Sequence, residues 1–502
     1  MTWEERCGAA WEAVRPDFKN LRHATRGVKR EKGRKRLTFS VGLRFGTNHS
    51  GVLGGFWKLN DAESANFHCV PNQVQAASAV GLVPDEEVHS SCSRKLCVAR
   101  NYGIGCGLTK PTRPELTTIL LARQLFSPAH VIEDAAVSIQ DGVITFVGMR
   151  AALRTPPNAR VVDFGDAILA PGLIDIHIHG GAGHDVMEGS DASLAPIEHL
   201  MTKHGVTSYC PTTVTAPVDA TLRSLDALGT ATKHAAGRND WTRARPLGLH
   251  LEGPFLSHAK RGVHPSALLQ PASRELFDRM WNAADGRVRV LTVAPEIDGA
   301  FDLIVEATRR GVCVSLGHSD ADLIKAHAGI RAGARHATHT FNAMRALDHR
   351  DPGILGAVLT DASVTADIIV DGVHVDPTLV DLFVRAKGVE DAVLITDAIS
   401  ATGMLDGTYL LGEIEVHVHD GRCESNGRLA GSVLTLDRAI RNTVKFAHVS
   451  LQDAIRMATI NPAKVLGIEK QKGALSVGAD ADITVFTPTG EVVRTIIGGV
   501  VN

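Results

Sequence analysis

Apolar runs of about strand length recur along most of this chain, separated by stretches with a helical period. Between Ile168 and Leu466, eight such runs end near His179, Thr212, Glu252, Val293, His318, Thr340, His374 and Asp397. Helix-like stretches such as Asp191–His204, Phe301–Arg310 and Asp320–Ala332 fall between them. This alternation predicts an α/β fold with a parallel sheet covered by helices. Eight units predict a closed (β/α)8 barrel, whose chemistry sits at the C-terminal ends of the strands. Before the barrel, Thr117–Leu121, Ala135–Ile139 and Val143–Val147 read as strands, the last two joined by Gln140-Asp141-Gly142, a hairpin signal. After it, Ala481–Phe486 and Val492–Ile497 read the same way around Pro488-Thr489-Gly490. Strands at both ends of a long region can pair into one small sheet domain. The expected division is 113–168 with 467–502 for that domain and 169–466 for the barrel.

The remaining N-terminal part differs in texture. Residues 1–110 hold 17 Lys/Arg against 10 Asp/Glu, although the 502-residue chain has a net charge of −2. The run from Arg22 to Arg36 is densely basic, and the stretch beyond Ser40 is rich in Gly, Asn and Ser. Residues 1–112 are therefore expected to be a basic, disordered extension outside the catalytic fold. A nucleic-acid arm is the alternative reading of such a run, but the overall balance argues against a general polyanion binder, and no nucleic-acid partner is expected. No apolar run reaches the roughly 18 residues needed to span a bilayer, so no membrane partner is expected either. None of the eight cysteines forms a Cys-x-x-Cys pair and no apolar leader core follows Met1. The reducing cytoplasm is the expected compartment.

The chemistry falls at the predicted strand ends. In Ile174-Asp175-Ile176-His177-Ile178-His179 successive side chains alternate faces. Three isoleucines then pack outwards, while Asp175, His177 and His179 face the barrel interior. Two histidines at i and i+2 on a strand can chelate one ion. Leu247-Gly248-Leu249-His250-Leu251-Glu252 repeats the logic, with Glu252 the last inward position before Gly253-Pro254. A carboxylate there is costly unless a cation or donor balances it. His318 and His339 lie 21 positions apart, about one strand–helix repeat, which places them on adjacent strand tips. Val393-Leu394-Ile395-Thr396-Asp397 ends another apolar strand on an acid. Four histidines and two carboxylates at strand ends predict a divalent-metal site. The N/O donor set suits Zn²⁺, with Fe²⁺, Mn²⁺ or Co²⁺ as alternatives. One or two ions are expected, and Glu252 is the natural bridge if there are two.

Pro171-Gly172-Leu173-Ile174-Asp175-Ile176-His177-Ile178-His179-Gly180 resembles the first-strand signature of the amidohydrolase superfamily. Leu249-His250-Leu251-Glu252-Gly253-Pro254-Phe255, His339-Thr340-Phe341-Asn342-Ala343-Met344, Asp371-Gly372-Val373-His374 and Thr396-Asp397-Ala398 are together similar to the N-acetylglucosamine-6-phosphate deacetylase family within it. The resemblance covers about 116–502. It implies a metal-dependent barrel inserted in a small β-sandwich, and a homodimer. It implies that Glu252, His318 and His339 are the main metal ligands, with His177 and His179 the second-metal pair of some members. It implies Asp397 as catalytic acid/base and His264 as the group that polarises the acetyl carbonyl. It implies that Val263, Asn342, Ala343, Arg350, His374, Leu429, Ala430 and Gly431 hold a phosphorylated amino sugar. Guanidinium forms paired hydrogen bonds with phosphoryl oxygens, which suits Arg350 to that task. The implied reaction is hydrolysis of N-acetyl-D-glucosamine 6-phosphate to D-glucosamine 6-phosphate and acetate. The rival substrates are N-acetylgalactosamine 6-phosphate, or a cyclic amide, urea or N-acyl amino acid on the same fold.

Overall fold

The computed structural model describes residues 117–127 and 130–501, together with the backbone of three strands nearer the N-terminus. Those three, Ala24–Glu31, Arg34–Leu43 and Leu53–Phe56, form an antiparallel sheet of their own within the compact unit Met1–Asn101. The rest of the expected disordered extension lies outside the described residues. Tyr102–Asn502 is a second compact unit, and it carries every candidate site residue.

Eight parallel strands build the centre of that unit. Leu173–Ile178, Val206–Thr213, Leu249–Glu252, Val288–Val293, Cys313–Leu316 and His336–Ala337 pair in this order. Ala366–Ile369 and Ala392–Ile395 pair separately. Hydrogen bonds from Thr340 N–H to the Asp367 carbonyl (2.8 Å) and from Thr365 N–H to the Arg335 carbonyl (3.0 Å) join the two groups. The Asp397 N–H donates to the His177 carbonyl (3.0 Å) and closes the ring on its other side. One helix follows each strand: Asp191–Lys203, Val218–Ala235, Arg274–Ala283, Ala300–Arg309, Leu323–Ala332, Gly353–Thr360, Pro377–Lys387 and Leu436–Ala447. Their starts are set by local chemistry. Ser190, Ser273, Asp322 and Asp376 each cap a helix by accepting a main-chain N–H. Outward strand residues such as Ile174, Ile176, Ile178, Leu249 and Leu251 are buried against these helices in one continuous core.

The flanking strands form a seven-stranded sheet drawn from both ends of the unit. Its order runs Val492–Ile496, Ile483–Phe486, Ile168–Pro171, Thr118–Phe126, Val131–Gln140, Val143–Met149, with Arg160–Asp163 pairing alongside Thr118–Phe126. The hairpin turn forms as its residues require, with Asp141 at φ 50° and Gly142 at φ 76°. Hydrogen bonds from Ile144 N–H to the Ala479 carbonyl and from Ala481 N–H to the Gly142 carbonyl (both 2.9 Å) bring that hairpin back to the far side. The sheet thus wraps its own apolar core, which includes Leu120, Val137, Ile139, Leu169 and Val485. Ile168–Pro171 belongs to this sheet, and Gly172 carries the chain directly into the first barrel strand. A Cβ at Gly172 would lie 2.3 Å from the Thr207 hydroxyl, so only glycine permits that approach.

Two features depart from the sequence reading. The strands Cys313–Leu316 and Ala392–Ile395 stop short of His318 and Asp397, because those residues take positive φ (46° and 50°), which an extended strand does not allow. His374 is likewise beyond its strand, which ends at Ile369. The Asp371 carboxylate accepts the N–H groups of Val373 and His374 (2.8 Å each) and turns the chain there. An unanticipated four-stranded antiparallel sheet, Gly407–Leu411, Ile414–His419, Arg422–Ser425 and Arg428–Leu429, follows the last barrel strand. Its core of Leu411, Val416, Val418 and Cys423 packs with Val214 and Ile399 from the barrel's upper rim.

Removing Met1–Asn101 is expected to leave a protein with a single cooperative thermal transition at the temperature seen for the full chain. Circular dichroism measures it. A truncated chain that precipitates or melts without cooperativity would show that the N-terminal unit stabilises the barrel.

Candidate metal centre

The inward alternation of the first and third barrel strands brings three predicted residues together. His177 and His179 are buried, and their Nε2 atoms are 3.2 Å apart. Glu252, at the end of its strand, places Oε2 3.3 Å from His179 Nε2 and Oε1 3.5 Å from His177 Nε2. On its other side Glu252 Oε1 is 3.1 Å from His318 Nε2 and 3.0 Å from His339 Nε2, and these two nitrogens are 3.0 Å apart. Asp397 Oδ1 completes the group, 3.2 Å from His179 Nε2 and 3.6 Å from His177 Nε2. His264 Nε2 lies 3.5 Å from Glu252 Oε2.

Two three-residue clusters result: His177, His179 and Asp397, and Glu252, His318 and His339. Their ring nitrogens point at one another, an arrangement that is repulsive unless protons or a cation stand between them. Ligands at 2.0–2.1 Å around a tetrahedral ion are separated by about 3.3 Å, close to the spacings found here. The histidines are aimed from behind. His179 Nδ1 faces the Thr212 carbonyl and His318 Nδ1 the Lys260 carbonyl, both at 3.0 Å. Each Nδ1 then carries the proton and leaves an Nε2 lone pair for the site. The residues present therefore fit a divalent cation.

The charges tell the same story. Burial raises the cost of ionising Glu252, but the surrounding histidines outweigh it and hold its carboxyl well below the usual range. Burial opposes a charge on His339 too, yet Glu252 and Asp397 lift it to about 9, whereas burial wins at His318 and lowers it to about 4. Asp397 follows Glu252: burial would raise it, and His179 and His177 bring it down to about 2. Two buried carboxylates are thus kept ionised by whatever positive charge sits among the imidazoles. His264 differs. Its Nδ1 accepts the Thr215 N–H at 3.3 Å and lies 2.7 Å from the Thr215 hydroxyl, which leaves the ring proton on Nε2, facing the site.

Backbone strain gathers at the same place. His318, His339 and Asp397 all have positive φ, as do Phe341 (79°) and Ala343 (51°) in the turn after His339. Each such residue costs about 1–3 kcal/mol, and such residues cluster where a site demands them. That turn packs beside His318: the Ser319 N–H donates to the Ala343 carbonyl at 3.0 Å. Asn342 sits in it with a buried Nδ2 that meets no partner among the described residues. Leu429, Ala430 and Gly431 end the four-stranded sheet against Asp397, and a Cβ at Gly431 would lie 3.0 Å from the Asp397 carbonyl. Val263 packs against the same sheet beside His264. The structure does not bring the last two predicted residues to the ligands by any described contact. Arg350 is exposed on the following loop, its N–H bonded to Asp348 Oδ1 at 2.8 Å. His374 pairs with Asp371 at 2.7 Å.

The sequence pattern of the amidohydrolase family matches residues 168–501. The chain belongs to the amidohydrolase family. This amidohydrolase is 36% identical to N-acetylglucosamine-6-phosphate deacetylase of Bacillus subtilis over 372 residues, 74% of this chain and 93% of that protein. It is 37% identical over 371 residues to N-acetylgalactosamine-6-phosphate deacetylase of Escherichia coli, covering 73% and 94%. Among solved structures, a mutant N-acetyl-D-glucosamine-6-phosphate deacetylase of Mycobacterium smegmatis in complex with N-acetyl-D-glucosamine-6-phosphate superposes with a TM-score of 0.71 at 32% identity, covering 76% of this chain and 98% of that one. Both the fold and the family expected from the sequence are thereby borne out.

Beside His250, which shares the inward face of its strand with Glu252, the amidohydrolase barrel is lined by hydroxyls that the sequence reading did not single out. His250 Nε2 is 2.8 Å from the Thr292 hydroxyl, which is 2.8 Å from that of Thr338, itself 2.5 Å from Ser315 Oγ. Ser315 alternates with Val314 and Leu316 in its strand, but Thr292 shares its face with Val288 and Val290 and Thr338 lies beyond its strand, so the pattern alone does not set these hydroxyls apart.

Glu252→Gln is expected to lower the metal content of the purified protein sharply, because a neutral amide neither balances the cation nor bridges two clusters. Elemental analysis against the parent measures it. Full metal retention would remove Glu252 from the centre.

Proposed function

We propose that this amidohydrolase removes the acetyl group of N-acetyl-D-glucosamine 6-phosphate, giving D-glucosamine 6-phosphate and acetate. The observation that carries the reading is the convergence of four imidazole Nε2 atoms and Asp397 on Glu252, with the His264 Nε2 proton facing the same space. The named relatives support the substrate class. Glu252, His318 and His339 would hold one divalent ion, with Zn²⁺ the first expectation and Fe²⁺, Mn²⁺ or Co²⁺ the alternatives. His177 and His179, with Asp397 beside them, would hold a second. Such an ion, when bound, polarises a carbonyl and makes water acidic enough to serve as nucleophile near neutral pH.

The chain's own groups then divide the work. Asp397 accepts a proton from the attacking water as its oxygen bonds to the acetyl carbon. His264 donates its Nε2–H to the oxygen that becomes negative in the tetrahedral intermediate. Asp397 returns the proton to the sugar nitrogen as the carbon–nitrogen bond breaks. Asn342 offers its buried amide donor to the sugar phosphate, beside Ala343, and the main chain of Val263 and of Leu429, Ala430 and Gly431 lines the cleft. Arg350 and His374 are the proposed phosphate contacts. A homodimer and a cytoplasmic location complete the reading, the latter in keeping with unpaired Cys210, Cys313 and Cys423. Among the described residues no helix is long and apolar enough to cross a membrane.

Acetate release from N-acetyl-D-glucosamine 6-phosphate tests the function directly, with the galactosamine epimer as second substrate because the relative named N-acetylgalactosamine-6-phosphate deacetylase is similarly close. No release from N-acetyl-D-glucosamine 6-phosphate would overturn the proposal, and release from the epimer alone would replace it with the galactosamine reading. Asp397→Asn is expected to lower kcat by about 10²–10⁴-fold or more, since both proton transfers are lost, with KM little changed. A normal rate per bound metal would place the proton carrier elsewhere.

Arg350→Ala should raise KM for the phosphorylated sugar by about ten- to a hundredfold, the equivalent of a charge-assisted bond worth roughly 1.5–3 kcal/mol. Unphosphorylated N-acetylglucosamine should be indifferent to the change. Equal effects on both sugars would mean that Arg350 does not read the phosphate.

A further inference from the structure

The four candidate ligand histidines around Glu252 are held in two different ways. His179 and His318 are aimed through their own Nδ1 atoms, each facing a main-chain carbonyl. His177 and His339 have no Nδ1 partner among the described residues. Each is held instead through its main-chain N–H, which donates to a buried carboxylate. His177 N–H donates to Asp175 Oδ1 at 3.2 Å, and His339 N–H donates to Asp367 Oδ1.

Asp367 is the more telling of the two. It lies on the barrel strand Ala366–Ile369 and is buried. Its second oxygen, Oδ2, lies 2.9 Å from Nε2 of buried His336, whose Nδ1 is 2.7 Å from the Thr365 hydroxyl. Both oxygens are therefore committed, and the carboxylate cannot rotate without breaking a bond on each side. The main chain of the same residue accepts the Thr340 N–H. His339 is at φ 32°, in a conformation that its side chain disfavours, and Asp367 accepts its N–H at that bend. A shift there would swing the His339 ring away from Glu252.

We propose that Asp367, locked by His336, is a positioning residue for the metal centre: it fixes the backbone of His339 and so aims Nε2 at the cation. The inference rests on the metal-centre reading given above. Neither Asp367 nor His336 touches the reacting atoms.

The test uses full-length protein stripped of metal and titrated with Zn²⁺ against a chromophoric chelator, and with Co²⁺ for its visible spectrum. Asp367→Ala should weaken Zn²⁺ binding by about ten- to a hundredfold, the usual cost of losing a group that orients a ligand. It should also change the Co²⁺ absorption bands while the apo-protein keeps a cooperative melt. Asp367→Asn keeps an oxygen that can accept the His339 N–H and should restore affinity and spectrum to near the parent's. His336→Leu, which frees the carboxylate to rotate, should give an intermediate loss. A folded Asp367→Ala protein with the parent's affinity and spectrum overturns the proposal while leaving the metal-centre reading intact. A parent protein that binds neither ion overturns both. If Asp367→Ala fails to fold, the comparison of His336→Leu with Asp367→Asn decides in the same way. Loss of the fold in all three places the pair in the scaffold alone and overturns the proposal.

Discussion

The candidate metal centre is arranged around one buried carboxylate. Glu252 is almost wholly removed from water at the mouth of the barrel, within 3.5 Å of Nε2 atoms from five histidines. An ionised carboxylate in such a place is tolerable only with positive charge beside it. Protons on the imidazoles could supply that charge, but then the opposed pairs at 3.0 and 3.2 Å would repel. A divalent ion satisfies the acid and the histidines together. The barrel's role is to deliver these groups from its first, third, fifth, sixth and eighth strands to one point, which a single helix or hairpin could not do.

Delivery to that point strains the ends of the strands. His318, His339 and Asp397 leave the extended conformation for the left-handed one as their strands finish. The turn carries each residue beyond the end of its strand. It is stabilised locally by contacts that do not involve the ligand atoms: Lys260 behind His318, and Ser432 N–H on the Asp397 carbonyl at 2.8 Å. The loop that holds Lys260 also carries His264. The inserted four-stranded sheet reaches this loop, where an Arg428 Nη1 donates to the Gly262 carbonyl at 2.8 Å. The sheet is thus part of the wall of the site and not an ornament on the barrel.

Much of this was legible in the sequence because strand alternation fixes which side chains share a face. Ile174 to His179 and Leu247 to Glu252 each separated an apolar face from a chemical one, and the structure keeps that division. The order of strands and helices followed from periodicity alone. Three things were harder to read. The positive φ values at His318 and Asp397 leave only a weak signal, since His and Asp enter the left-handed region more often than most residues but still seldom. The four-stranded sheet did have signals, the alternation in Ile414-Glu415-Val416-His417-Val418-His419 and the turns Asp420-Gly421 and Asn426-Gly427. The positions of Arg350 and His374 relative to the ligands depend on long loops, and spacing along a chain says little about where a loop goes.

The buried aspartates answer a remaining question, how the ring closes where regular pairing fails. Ladder pairing is continuous across six strands and again across the last two, which leaves two seams: His336–Ala337 against Ala366–Ile369, and Ala392–Ile395 against Leu173–Ile178. Few backbone hydrogen bonds cross either. At the first seam Asp367 reaches over to the His339 N–H. At the second, Asp175 accepts the Thr396 hydroxyl at 2.6 Å and the Thr396 N–H at 3.4 Å. Burial pushes the Asp175 carboxyl up to about 6 against the pull of the Thr396 and His177 bonds. Placing it there therefore costs stability that an apolar residue would not, and the cost is explained by what it joins. Each carboxylate bridges strands beside candidate site residues: Asp175 lies two positions from His177 and bonds Thr396, the neighbour of Asp397, at one seam, and Asp367 accepts the N–H of His339 itself at the other. Both seams of the barrel lie beside the candidate site, and the carboxylates that cross them also hold its residues, Asp367 through the His339 N–H and Asp175 through the His177 N–H.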